Sequence, residues 1–156
     1  MAEAKQKSFT EILNTLEAEI EKVAMNKSIP ALPENAKELI VKIAPWLAAV
    51  SMVMLLPIIL AAFGISALAL PFSYLGGMGM GFGYTLSMIF SFGMIALELM
   101  ALPGLFKRKE SAWRLMFYSI VLSLIQQLLR FDIAGLVIGG AIGFYILFQV
   151  KSKYNK

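Results

Sequence analysis

Apolar and polar positions along this chain follow two regimes that meet near residue 45. In the first 25 residues, Phe9, Leu13, Leu16, Ile20 and Val23 recur at alternating steps of four and three, with Ile12 beside them and Glu11, Glu17, Glu19 and Glu21 on the opposite face. That stripe predicts an amphipathic helix with a coiled-coil-like seam. Ser8 and Glu11 have the spacing of a capping box, in which each side chain accepts a backbone N–H that the first turn leaves unpaired, so helix is expected to start there. Ile29-Pro30-Ala31-Leu32-Pro33 then interrupts it by removing donors and restricting the residue before each proline. Ala36, Leu39, Ile40 and Ile43 next share one face while Lys37, Glu38 and Lys42 share the other. This predicts a short interfacial helix over 35–44 that Pro45 turns into the following element.

Beyond that point the alternation gives way to four nearly unbroken apolar runs: Trp46–Leu70, closed by Pro71; about Gly83–Leu102, closed by Pro103-Gly104; Ala112 to about Leu129; and Ile133–Val150. Each approaches the roughly 20 residues that carry a helix across hydrocarbon. Only Arg130-Phe131-Asp132 separates the last two, which forces a tight antiparallel hairpin. The expected organisation is an amphipathic arm over 1–28, a proline-containing linker and interfacial helix over 29–45, a membrane domain over 46–150 and a basic tail over 151–156.

Composition agrees: 59% hydrophobic and 15% charged residues, with a mean hydropathy of +0.76, is more apolar surface than a core of 156 residues can hide, so the lipid bilayer is the expected first partner. The opening MAEAKQKSFTEILN lacks the apolar core and small-residue cleavage site of a signal peptide, and insertion is expected to be driven by the later runs. Charge sets the threading. Lys5, Lys7, Lys22, Lys27, Lys37 and Lys42 precede the first run, Lys107, Arg108, Lys109 and Arg114 fall between the second and third, and Lys151, Lys153 and Lys156 follow the fourth. Arg130 alone falls on the other side, so both termini are expected in the cytoplasm of a cell (inner) membrane protein, with Trp46 and Trp113 as interfacial aromatics.

The chain has no cysteine and no histidine, which removes disulfides, thiolate nucleophiles, Cys/His metal sites and Ser-His-Asp triads. "GGMGMGFG" lacks the lysine of a phosphate loop and the strand–helix context of a dinucleotide fingerprint. No cofactor, metal, nucleic acid, small-molecule substrate or enzymatic activity is expected. Gly77 and Gly81, and Gly135, Gly139 and Gly143, instead have the four-residue spacing that lets helices pack closely. Gly76–Gly83 reads equally as the start of a helix or as an irregular outer segment. For the fourth run, the glycine face is expected to meet the first or second span, or another subunit, rather than its own hairpin partner.

Glu98 is the ionisable residue set well inside a run and is expected to reach the cytoplasmic interface or to pair with Arg114 on the next span; the two form a candidate intramembrane polar site. Arg130 and Asp132 are placed to pair across the outer turn. The arm is short enough that something must bury its stripe, and its acidic outer face suits a protein helix, or a second copy, better than anionic lipid. The ending "GGAIGFYILFQVKSKY" from Gly139 to Tyr154 and the basic central loop resemble small uncharacterised bacterial four-helix integral membrane proteins over residues 30–156, a likeness that implies no activity. Small multidrug exporters are also similar in having four short spans and an intramembrane glutamate, but carry it in the first span rather than the second. The sequence therefore predicts an all-α, four-span transmembrane helical bundle with an N-terminal cytoplasmic amphipathic helix. Its expected role is as a structural or interaction subunit, self-association included; the alternative is a small channel or ion-coupled transporter using Glu98.

Overall fold

The computed structural model describes residues 2–26 and 29–155, and within them all side chains except those of 2–7, 9 and 55. Lys27 and Lys156, and the side chains of Lys5, Lys7 and Phe9, lie outside the described residues. Five α-helices account for nearly all of it: α1 (Ala2–Ala24), α2 (Glu34–Ser73), α3 (Met78–Phe106), α4 (Glu110–Leu129) and α5 (Ile133–Gln149). The expected fold class holds, and four helical stretches, two of them running on into a 3₁₀ turn, are long and apolar enough to cross a membrane: Leu56–Gly76, Met78–Phe106, Glu110–Leu129 and Ile133–Lys153.

Three boundaries differ from expectation. Helix α1 begins at Ala2, so Ser8 and Glu11 sit inside it rather than at its cap. Ala2 to Lys7 are strong helix formers almost throughout, and nothing there stops the helix from extending. Second, the interfacial segment 35–44 is the first part of α2, which continues through Pro45 and Pro57 to Ser73. Each proline deletes one donor, whereas breaking the helix in lipid would strand several backbone groups, so continuation is the lesser cost. For the same reason α3 passes through Pro103 and ends at Phe106.

The glycine-rich segment resolves residue by residue. A 3₁₀ turn over Tyr74–Gly76 leads to Gly77, whose φ of 113° suits a residue without Cβ, and α3 starts immediately afterwards. Gly79, Gly81 and Gly83 are helical. Each of the other inter-span turns also contains one residue of positive φ, Arg108 at 53° and Phe131 at 56°. Asp132 caps α5 by accepting the Gly135 N–H at 2.9 Å, so it does not pair with Arg130.

The main helix contacts follow chain order, α2 on α3, α3 on α4 and α4 on α5, with α1 returning onto α5. Buried side chains concentrate at the end that carries both termini. Trp113, Phe117 and Phe148 are each at most 1% exposed and form its centre, with Val41, Ala101, Leu105, Ala112, Leu147, Val150 and Tyr154 around them. Trp113 stacks on Phe117 at 5.9 Å and meets Phe148 edge-on at 5.2 Å, the offset and T-shaped arrangements that ring quadrupoles favour. Trp46 is 63% exposed, as an interfacial aromatic should be, but Trp113 is not. Elsewhere the flanks are open: Val53, Ile65 and Leu68 of α2 are 68–75% exposed, surfaces that only an apolar medium accommodates.

Candidate functional site

Two constellations combine charge with shape. The first is built where α5 ends. Its last turn leaves carbonyls without N–H partners inside the helix, and Trp113 Nε1–H of α4 donates to one of them, Leu147 O, at 2.8 Å. Two residues further on, Gln149 is buried and its Oε1 accepts the Leu32 N–H at 3.2 Å, while Tyr145 OH donates to Pro30 O at 2.7 Å. The segment after α1 is thereby fixed to α5. Lys151 follows, its Nζ 4.8 Å from the Trp113 ring centroid and 5.5 Å from that of Phe148. Its ammonium is shared by Glu17 at 3.0 Å and Glu21 at 2.7 Å of α1.

These contacts hold one face of α1. Ile20 and Ala24 join the buried cluster, as expected of a seam residue and its neighbour. Leu13 is half-buried, while Leu16 (42%), Ile12 (54%) and Val23 (66%) remain exposed. The stripe is thus divided lengthwise: Leu13, Ile20 and Ala24 lie on the edge turned toward the bundle, while Ile12, Leu16 and Val23 form an exposed apolar edge.

Beside this clamp, Lys153 of the tail reaches Glu34 at 2.9 Å, Lys37 adds a second ion pair to Glu34 at 2.9 Å, and Arg108 of the α3–α4 turn pairs with Glu38. Hydrogen bonding from Lys153, reinforced by Lys37, lowers the Glu34 carboxyl to about 2. The hydrogen bond from Arg108 lowers that of Glu38 and raises Arg108 in turn. Burial raises the Tyr154 phenol. Sequence inspection missed these partners, because the charge pattern placed Glu34, Glu38, Arg108 and Lys153 on one side of the membrane without pairing them.

The second constellation surrounds Glu98. It lines a cavity of about 290 Å³ between α2, α3 and α4, together with Ser51, Met52, Leu102 and Met116, and accepts a long hydrogen bond from Ser119 Oγ at 3.4 Å. Arg114 does not reach it and pairs with Glu110 at 3.0 Å. The register explains why: the Cβ position of Gly104 lies against Ala112, that of Gly93 against Leu122, and Gln126 reaches Ser91. Glu98 is thereby level with Ser119, and Arg114 lies more than a helical turn closer to the terminal end. Among the described residues no cluster of carboxylates could hold a metal ion.

The glycines serve different neighbours. The Tyr74 ring occupies the place a Cβ would take at Gly81, and its hydroxyl meets Thr85 Oγ1 at 3.1 Å, so Gly81 accommodates the turn rather than another helix. Gly77 has open space around it. On α5, Gly135 faces Gln127 and Asp132, Gly139 lies 3.7 Å from Gln127, and Gly143 lies 3.4 Å from Ile120, all distances from the glycine's Cβ position. This face therefore packs on α4, its hairpin partner, contrary to the expected contact with the first or second span. Gly140, outside the four-residue series, approaches α4 more closely than Gly139 or Gly143, 3.2 Å from Leu124. A three-residue connection brings the two helices together along their length, and side-chain-free positions are where they approach most closely. No protein-family model matches this sequence, and no curated protein or solved structure matches it either.

Proposed function

We propose that this four-span chain is a non-enzymatic interaction subunit of a membrane assembly, with both termini cytoplasmic, that presents α1 to a helix of a partner protein or of a second copy. The supporting observation is the division of α1: Glu17, Ile20, Glu21 and Ala24 are held at the end of α5, while Ile12, Leu16 and Val23 leave an apolar edge that is 54%, 42% and 66% exposed. Anchoring one edge fixes where the exposed edge stands and lowers the ordering cost of pairing. Leu16→Asp should abolish crosslinking through α1 without expelling the protein from the membrane; unchanged crosslinking would count against the proposal.

A second reading, ion-coupled transport, is supported by Glu98 in its cavity between three helices. It requires proton-coupled flux in liposomes that is lost in Glu98→Gln. Flux of equal size in both proteins would remove Glu98 from any such role.

A further inference from the structure

At the end of the bundle remote from the termini, two grooves meet at one cation. Arg130, the C-terminal cap of α4, is the basic residue that stands apart from all the others in the charge pattern. Among the described residues it has no ion-pair partner, and neighbouring Asp132 is engaged in capping α5. One groove, of about 440 Å³, runs between α3 and α4 past Phe82, Leu86, Phe90 and Leu129. The other, of about 310 Å³, opens toward Phe63 and Ser66 of α2. Tyr84, Ser87, Gln126 and Arg130 line both.

The chemistry of this junction is specific. An unpaired guanidinium at a bilayer interface attracts an anion, and its planar fork matches phosphate oxygens in a bidentate contact. Gln126 Nε2 stands beside it, donating to Ser87 O at 3.3 Å and Ser91 Oγ at 3.4 Å, long bonds that a stronger acceptor would displace. The first groove continues from this polar corner as an apolar channel. Its floor is open at Gly83, where a Cβ would meet nothing within 4 Å, and its walls remain accessible, with Phe82 65% and Leu129 51% exposed. A small anion would leave that channel empty, whereas a lipid fills it.

We propose that this junction binds an anionic phospholipid. Its phosphodiester lies on Arg130 with Gln126 and Ser87 as further polar contacts, and one acyl chain follows the α3–α4 groove over Gly83. The net negative charge of the headgroup complements the Arg130 guanidinium, and the site is independent of the role assigned to α1 at the other end.

Native mass spectrometry of delipidated full-length protein, titrated with phosphatidylglycerol or phosphatidylcholine, tests this. Phosphatidylglycerol should bind at least about tenfold more tightly than phosphatidylcholine, Arg130→Gln should weaken it by a similar factor, and Lys109→Gln should leave it unchanged. Gly83→Leu should weaken binding with Arg130 intact by filling the groove, and it decides the matter alone if Arg130→Gln fails to fold. Excess inorganic phosphate should not displace the lipid. Equal binding of the two lipids, full retention by either variant, or displacement by phosphate would each overturn the assignment.

Discussion

Replacing Trp113 tests whether the bundle is organised around the aromatic cluster at its terminal end. Truncation to alanine removes a side chain that is 1% exposed, its contacts with Phe117 and Phe148, the Lys151 ammonium 4.8 Å above its ring, and the 2.8 Å hydrogen bond to Leu147 O. Emptying a buried aromatic position costs about 3–5 kcal/mol. The lost cation–π contact adds about 0.5–1 kcal/mol and the unpaired carbonyl about 1 kcal/mol. Because these effects overlap, about 4–6 kcal/mol is expected for Trp113→Ala. Trp113→Phe keeps most of the ring packing and loses the N–H donor, so about 1–2 kcal/mol is expected. The chain contains no cysteine, so Ser119→Cys supplies one thiol at a position 5% exposed, and its labelling rate across a dodecylmaltoside–SDS series reports unfolding. Equal destabilisation by the two Trp113 replacements, or a loss below about 1 kcal/mol for alanine, would refute the packing argument.

Protonation should loosen the tail. The Glu34 and Glu38 carboxyls are lowered in the folded protein by Lys153 and Arg108, so their stabilisation is complete above the ordinary carboxylate value and is lost as pH falls. For Glu34 the window runs from the ordinary carboxyl value of 4.5 down to about 2, and the unfolding midpoint should fall across it at low salt, less so in Lys153→Gln. Gly140→Leu should destabilise the protein by about 1–3 kcal/mol and Gly139→Leu by less, since only the former forces a Cβ to 3.2 Å from Leu124; a larger effect at Gly139 in the same thiol assay would contradict the α4–α5 packing. Cysteines placed singly at Ser73 and Ser152 should react with an impermeant reagent from opposite sides of the membrane; labelling of both from one side would refute the threading. Lys151→Gln should release α1, read as faster proteolysis near Glu17, because it leaves a carboxylate whose side chain is 13% exposed without its cation.

The spans were legible because their signal is additive: twenty apolar residues announce a membrane helix whatever their order. Which face of each helix meets which neighbour was not, for the same reason. A helix apolar all round carries no stripe to orient it, so burial of Trp113 and packing of the α5 glycines on α4 had no sequence signature. The Glu98–Arg114 pairing failed on register, since opposite charges on adjacent spans meet only if the connecting turn brings them level. The capping box failed because the residues before Ser8 sustain helix as well as those after it. The amphipathic arm was correctly read as a helix with something to bury, but the pattern could not foresee that Lys151 would divide it by holding Glu17 and Glu21.

The three inter-span turns each contain one left-handed residue, Gly77, Arg108 or Phe131, and this sets where the chain tolerates a change in length. Successive helical residues are rotated by about 100°, so one residue inserted or deleted beside such a turn re-aims the whole following span and shifts it by about 1.5 Å. At the α3–α4 turn, that rotation would carry Gly104 away from Ala112 and Ser91 away from Gln126 together. Length variation in natural or engineered relatives should therefore avoid the three turns, which keep their residue count even where their composition drifts.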